Sequence, residues 1–169
     1  MGIYLNPGNT LFQMTLNSKI YVDKTDLISY ANSVINTPQR FVCVSRPRRF
    51  GKSVTDQMLA AYYSRDIDSS MQFCRLSIAQ DESYHRHLNH YNVIFINMQQ
   101  FLSRTQNIKK MKTLIEGYLT KELVQTYPDI DYFDHTDLTG CLMDVFSETG
   151  IPFIFIIDEW DCIFREYKA

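Results

Sequence analysis

Residues 41–53, FVCVSRPRRFGKS, carry the first group of side chains suited to chemistry. A short apolar run, Phe41 to Val44, gives way to a basic turn that closes on Gly51, Lys52 and Ser53. An amphipathic segment follows at once, with Val54, Met58, Ala61 and Tyr62 on one helical face. Strand, loop and helix, with Gly-Lys-Ser at the helix start, is the context in which a backbone loop cradles phosphate. The first N–H groups of such a helix have no intrahelical partner and lie at its positive dipole end. Gly51 lets the main chain approach a phosphate with no Cβ between them. Lys52 is expected to neutralise the β/γ-phosphate oxygens, and the Ser53 hydroxyl to ligate Mg²⁺. Arg46, Pro47, Arg48, Arg49, Phe50 and Val54 complete the candidate binding set, the arginines adding phosphate contacts. The usual motif has glycine where Arg46 stands, and the basic heptamer RPRRFGK also reads as a surface loop, or as a nucleic-acid or targeting patch.

A second group lies far downstream. Pro152 to Ile157 is a continuous apolar run, with Pro at its first position, where a strand tolerates it. It ends in Asp158-Glu159-Trp160-Asp161. A buried strand that delivers two adjacent carboxylates at its C-terminal end matches the Walker B arrangement. Asp158 is expected to hold the Mg²⁺ shell through water, and Glu159 to polarise the attacking water as general base. The alternative is a strand that ends in a solvated acidic turn. Both groups in this order, each at the C-terminal end of a strand, favour nucleotide binding.

YVDKTDLI (residues 21–28), SRPRRFGKS (45–53), Met58-Leu59, Tyr62-Tyr63 and IIDEWD (156–161) also carry a family resemblance. Over nearly its whole length the chain resembles the AAA-ATPase-like proteins of bacteria. The most specific element is RPRRFGKS, because arginine at the first loop position is that family's habit. The resemblance implies ATP and Mg²⁺ as cofactors, with hydrolysis at the γ-phosphate. It also implies a PD-(D/E)XK nuclease-like domain after this one, through which any contact with nucleic acid would come. In that class the strands flanking the phosphate-loop strand, a sensor residue and an arginine finger follow Walker B, whereas this sequence ends at Ala169. The expectation is a P-loop NTPase core truncated after Walker B, with weak or absent hydrolysis by residues 1–169 alone. Self-association into a homo-oligomer through exposed sheet edges is expected with it. No guanine-reading Asn-Lys-x-Asp is present, which favours ATP over GTP. Two other readings stay open: a nucleic-acid-binding module built on RPRRFGK, and a nucleotide-binding regulator that does not hydrolyse.

The elements that must position these groups follow from composition and pattern. With 45% hydrophobic and 14% aromatic residues the chain can bury a substantial core. Its net charge of −2 gives no global field for nucleic acid. Four separated cysteines form no CxxC pair, and Cys43, inside the first apolar run, reads as a small buried hydrophobe. No leader pattern or membrane-length apolar run is visible, so a cytoplasmic setting away from membranes is expected. Residues 1–40 read as an irregular lead-in and a helix, the latter capped at Asp23 with Asp26, lined by Leu27, Ile28, Ala31, Val34 and Ile35, and ended by Asn36-Thr37-Pro38. Residues 41–169 form the NTPase core. Within it, residues 65–89 show no clear period, and His85, His87 and His90 read as loop histidines rather than metal ligands. NVIFINM (92–98) reads as a buried strand. A helix carries Met111, Leu114, Ile115, Tyr118 and Leu119 on its apolar side, with Lys109, Lys112 and Lys121 outside, and breaks near Pro128. The next helix starts at Asp134 or Thr136, bears Leu138, Leu142, Val145 and Phe146, and stops at Gly150. Strands alternating with helices predict an α/β fold: a parallel, doubly wound, AAA/RecA-like sheet flanked by helices.

Overall fold

The computed structural model describes residues 2–45 and 51–166. Contacts gather into two compact units, Gly8–Tyr91 and Met1–Pro7 with Asn92–Ala169.

The Gly8–Tyr91 unit is helical. It contains α1 (Thr10–Leu16), α2 (Asp26–Val34), α3 (Lys52–Tyr63), α4 (Ser70–Phe73), a 3₁₀ turn at Ser77–Gln80 and α5 (Tyr84–His87). The short helices between α3 and Asn89 occupy a stretch whose sequence shows no period, because four-residue helices are too short to display one. An aromatic core holds the unit together. Phe12 stacks on Phe73 at 4.9 Å, and Tyr62 meets Phe73 and Tyr63 edge-on at 5.3 and 4.9 Å. Two of its buried hydroxyls are satisfied: Tyr62 donates to the Tyr84 carbonyl (2.8 Å) and Tyr63 to Asn32 Oδ1 (2.7 Å). Burial pushes the Tyr62 phenol up to about 12, and that of Tyr63 further.

Two expectations are corrected in this unit. Residues 41–45 form no strand, and Phe41, Val42 and Cys43 are exposed, so Cys43 is not a core hydrophobe. Among the described residues no strand pairs with this segment, and without a ladder an apolar run has no reason to stay extended and buried. Nor does Asp23 cap α2. The N-cap is Thr25, with no side-chain cap bond. The Asp23 carboxylate instead staples two segments: Oδ1 accepts from Thr25 N and Oγ1 (2.9 and 2.8 Å), and Oδ2 from Ser77 N and Oγ (2.7 and 2.9 Å). Thr25 Oγ1 in turn accepts from Ile78 N at 3.0 Å.

The other unit contains β1 (Asn92–Asn97), α6 (Met98–Thr105), α7 (Ile108–Thr126), α8 (Leu138–Thr149), β2 (Phe153–Asp158) and α9 (Cys162–Glu166). β1 and β2 pair in parallel, from Asn92 opposite Phe153 to Asn97 opposite Asp158. Three helices between parallel strands make the crossover that such pairing needs. Ile94, Ile96, Phe101, Leu102, Met111, Leu119, Leu123, Cys141 and Val145 lie in one core. The apolar side of α7 is Met111 and Leu119, with Leu114 and Ile115 partly covered and the three lysines outside, while Tyr118, expected on that side, is exposed. Asn107 caps α7 by accepting from Lys110 N (3.0 Å), and Gly150, at φ +66°, ends α8. The start of α8 is a correction: Asp137 is the cap, accepting from Thr139 N at 3.0 Å. Asp134 instead folds a turn just before it, accepting from Thr136 N and Oγ1. The β2 strand is not buried on both faces. Its side chains alternate, and Phe155 and Ile157 are about half exposed while Ile156 and Asp158 are buried.

Of the lead-in expected to be irregular, only Met1–Pro7 belongs to this unit, and Thr10–Leu16 is helical, as α1 of the other. Tyr4 and Asn6 flank an antiparallel bridge between Leu5 and Ile94, through Phe95 N to Tyr4 O (2.8 Å) and Asn6 N to Val93 O (2.7 Å). Glu122 on α7 fixes that segment, its carboxylate accepting from the backbone N–H groups of Ile3, Tyr4 and Leu5 at 2.8–2.9 Å. Among the described residues no helix is long and apolar enough to cross a membrane.

Two measurements test these anchors. Glu122→Gln turns one acceptor oxygen into a donor facing N–H groups, and is expected to lower stability by about 1–2 kcal/mol in urea denaturation. Asp23 loses solvation on partial burial, but its four hydrogen bonds outweigh that loss and lower its carboxyl below the usual range. Its stabilisation is therefore complete above the unfolded aspartate value and lost as pH falls through the folded one. The fall in urea midpoint below about pH 4 is expected to be smaller in Asp23→Ala than in the parent.

Candidate functional site

In the Gly8–Tyr91 unit, Gly51 takes the left-handed φ of +78° that turns the chain into α3, and Lys52 and Ser53 open the helix. The helix start lies where the motif predicts it. Thr55 secures the turn, its N–H and hydroxyl both donating to the Gly51 carbonyl at 3.0 Å. Lysine is close by: a Cβ built on Gly51 would sit 3.0 Å from Lys24 Nζ. Lys24 belongs to the Tyr21–Thr25 stretch and is flanked by the two stapled residues, Asp23 and Thr25. No periodicity or spacing singles it out, because Lys24 and Gly51 meet only through the tertiary fold. Val54 is half-buried on α3. Arg46, Pro47, Arg48, Arg49 and Phe50 lie outside the described residues.

In the other unit, β2 delivers Asp158 to the C-terminal edge of the sheet. Its side chain is buried, 5% exposed. Parallel register sets Asn97 opposite it, and Asn97 Nδ2 donates to Asp158 Oδ2 at 3.2 Å. Asp158 Oδ1 accepts from Glu159 N at 2.8 Å. A buried carboxylate needs such donors, since desolvation without them is costly. Glu159 itself has φ +53°, a left-handed conformation uncommon for a non-glycine residue. That bend leads into α9, where Cys162 N donates to the Glu159 carbonyl (3.1 Å). The Glu159 carboxylate is not a bare solvated acid: Arg165 Nη2 donates to Oε2 at 2.6 Å.

Sequence reasoning passed over Asn97 and Arg165, and each had a signal. Asn97-Met98-Gln99-Gln100 has the spacing of a helix start, and Asn97 Oδ1 accepts from Gln100 N at 3.1 Å. Arg165 stands four residues after Asp161, the spacing of a helical ion pair, at 3.3 Å here. Of the three histidines weighed as metal ligands, His87 alone is packed. His87 is buried with its Nδ1 engaged by the Tyr91 hydroxyl, while His85 and His90 are exposed. Among the described residues no three His, Cys, Asp or Glu side chains gather as a metal cage. Asn97 therefore has two tasks, capping α6 and holding Asp158. Asn97→Ala is expected to cost about 1 kcal/mol for the cap alone, read as a lower melting temperature, whereas Asn97→Asp keeps the cap.

One unit thus holds a helix start with two lysines and a hydroxyl, and the other holds a strand end with two carboxylates. No curated protein and no solved structure matches the chain. A family model, AAA-ATPase_like, described as a predicted AAA-ATPase, matches residues 9–167. That match takes in both candidate motifs, and the chain belongs to this AAA-ATPase-like family.

Proposed function

We propose that the chain is an ATP-binding domain that hydrolyses ATP with Mg²⁺ in the intact protein. The observation that carries this reading is the end of β2: a buried Asp158 secured by Asn97, with Glu159 next to it on a left-handed bend. Family membership supports a nucleotide-binding, ATPase-like domain, and the helix start at Gly51 supports a phosphate-binding role there. Lys52 neutralises phosphate oxygens, with Lys24 and the arginines of 46–49 as further cations, and Ser53 gives its hydroxyl to the metal shell. Asp158 would give its carboxylate to Mg²⁺, and Glu159 accepts the proton of the attacking water. The donor set suits Mg²⁺, which takes one or two carboxylates and substrate phosphates rather than an all-protein cage. When bound, the ion offsets charge developing on the phosphate oxygens. Coupling of turnover to a nuclease-like domain after this one rests on the family resemblance alone.

Lys52→Ala is expected to abolish ATP binding in isothermal titration, and an unchanged affinity would overturn the reading. Glu159→Gln in the intact protein is expected to bind ATP normally and to lose at least 100-fold, by order of magnitude, in steady-state phosphate release.

A further inference from the structure

The Walker-type reading uses two of the three acids in Asp158-Glu159-Trp160-Asp161 and leaves Asp161 without a task. The turn after β2 gives it one. Arg165 Nη2 donates to Glu159 Oε2 at 2.6 Å, and its Nε lies 3.3 Å from Asp161 Oδ2. The Nε–H is buried and makes no aligned hydrogen bond, so the Asp161 contact is an ion pair held by charge and the Glu159 contact is the directed one. The guanidinium hangs from α9, whose Cys162 is fully buried and whose Ile163 packs on the core. It therefore stands on an element held by burial, one turn after Asp161 and six residues after Glu159. The bend at Glu159 is fixed from both sides, by Asp158 Oδ1 before it and by Cys162 N after it. Backbone and side chain of Glu159 are each tethered.

We propose that Arg165 is the positioning residue for the Glu159 carboxylate, with Asp161 as the anchor of its guanidinium. This rests on the reading of Glu159 as general base. The guanidinium takes Oε2, and Oε1 is left as the oxygen that accepts the proton from water as the new O–P bond forms and the β–γ phosphoanhydride bond breaks. A base whose side chain is already oriented loses less freedom on reaching the transition state. The role needs a planar fork that reaches two carboxylates, which lysine does not supply. Arg165 touches no reacting atom in this scheme, so its loss is expected to alter turnover and leave nucleotide affinity intact.

The test compares Arg165→Met, Arg165→Lys and Asp161→Asn in the intact protein, reading kcat, KM and ATP affinity. Arg165→Met is expected to lower kcat by about 10- to 100-fold with KM and affinity unchanged. Arg165→Lys is expected to recover part of that loss, and Asp161→Asn to show a smaller one. Adding Arg165→Met to Glu159→Gln is expected to cost nothing further, because the two act as a unit. Turnover equal to or above wild type in Arg165→Met overturns the proposal, as does a raised KM with kcat kept, which would place Arg165 on the nucleotide. A second readout is independent of hydrolysis. Trp160, the single tryptophan, lies between the two tethered acids, its ring edge-on to Phe164 at 6.1 Å. Its fluorescence anisotropy without nucleotide is expected to fall in both Arg165→Met and Glu159→Gln, and an unchanged value in Arg165→Met overturns the tether. If wild type hydrolyses no ATP, or Glu159→Gln turns over normally, the ATPase reading fails, while the anisotropy still decides whether Arg165 holds Glu159.

Discussion

Parallel pairing of β1 with β2 is the constraint on which the acidic half of the site depends. The register sets Asn97 opposite Asp158 at the last rung of the ladder, so a side-chain amide meets a carboxylate where the strands end. A slip of one residue would turn Asp158 to the other face of the sheet and remove that donor. β1 is held on its other side by residues 4–6, and these are held by Glu122 on α7. The position of one buried carboxylate therefore depends on a helix and a lead-in far from it in sequence.

The chain's course after Asp158 follows from the same strand end. A left-handed residue costs on the order of 1 kcal/mol or more outside glycine, and Glu159 keeps that conformation because hydrogen bonds fix it on both sides. The bend reverses the chain into α9, and α9 returns Arg165 to Glu159. Strand end, bend and helix thus form one unit in which three acids have three surroundings: amide donors for Asp158, a guanidinium hydrogen bond for Glu159 and a charge contact for Asp161. The Gly51 turn has a comparable support. Asp23 and Thr25 are tied to Ser77 and Ile78, and Lys24 between them stands beside Gly51.

Much of this was legible in the sequence. The helix beginning at Lys52, the strands at 92–97 and 153–158, the stop of α7 before Pro128 and the Gly150 cap all follow from local signals: period, turn residues and caps act within a few residues. Asp158 and Glu159 at a strand's end were legible for the same reason. What the local signal could not supply is pairing. FVCV at 41–44 is as apolar as NVIFIN at 92–97, yet among the described residues only the latter has a strand beside it, and a ladder is a property of two segments. Cap choice was blurred in the same way. Asp23, Asp134 and Asp137 all have side chains that suit an N-cap, and the geometry of neighbouring segments gave the role in α8 to Asp137 and a staple to Asp23.

By itself the sequence determined which elements form and which residue types stand at their ends, because helix starts, turns and strand patterns are set by dihedral preference and by side chains a few positions apart. Only the tertiary structure decided which of those ends meet. Asn97 joins Asp158 through strand register, Arg165 joins Glu159 through a left-handed bend, Lys24 reaches Gly51 through a staple, and Glu122 gathers three amides of the lead-in. Each of these contacts depends on long-range packing or on a single unusual φ, and neither is written in any short stretch of chain.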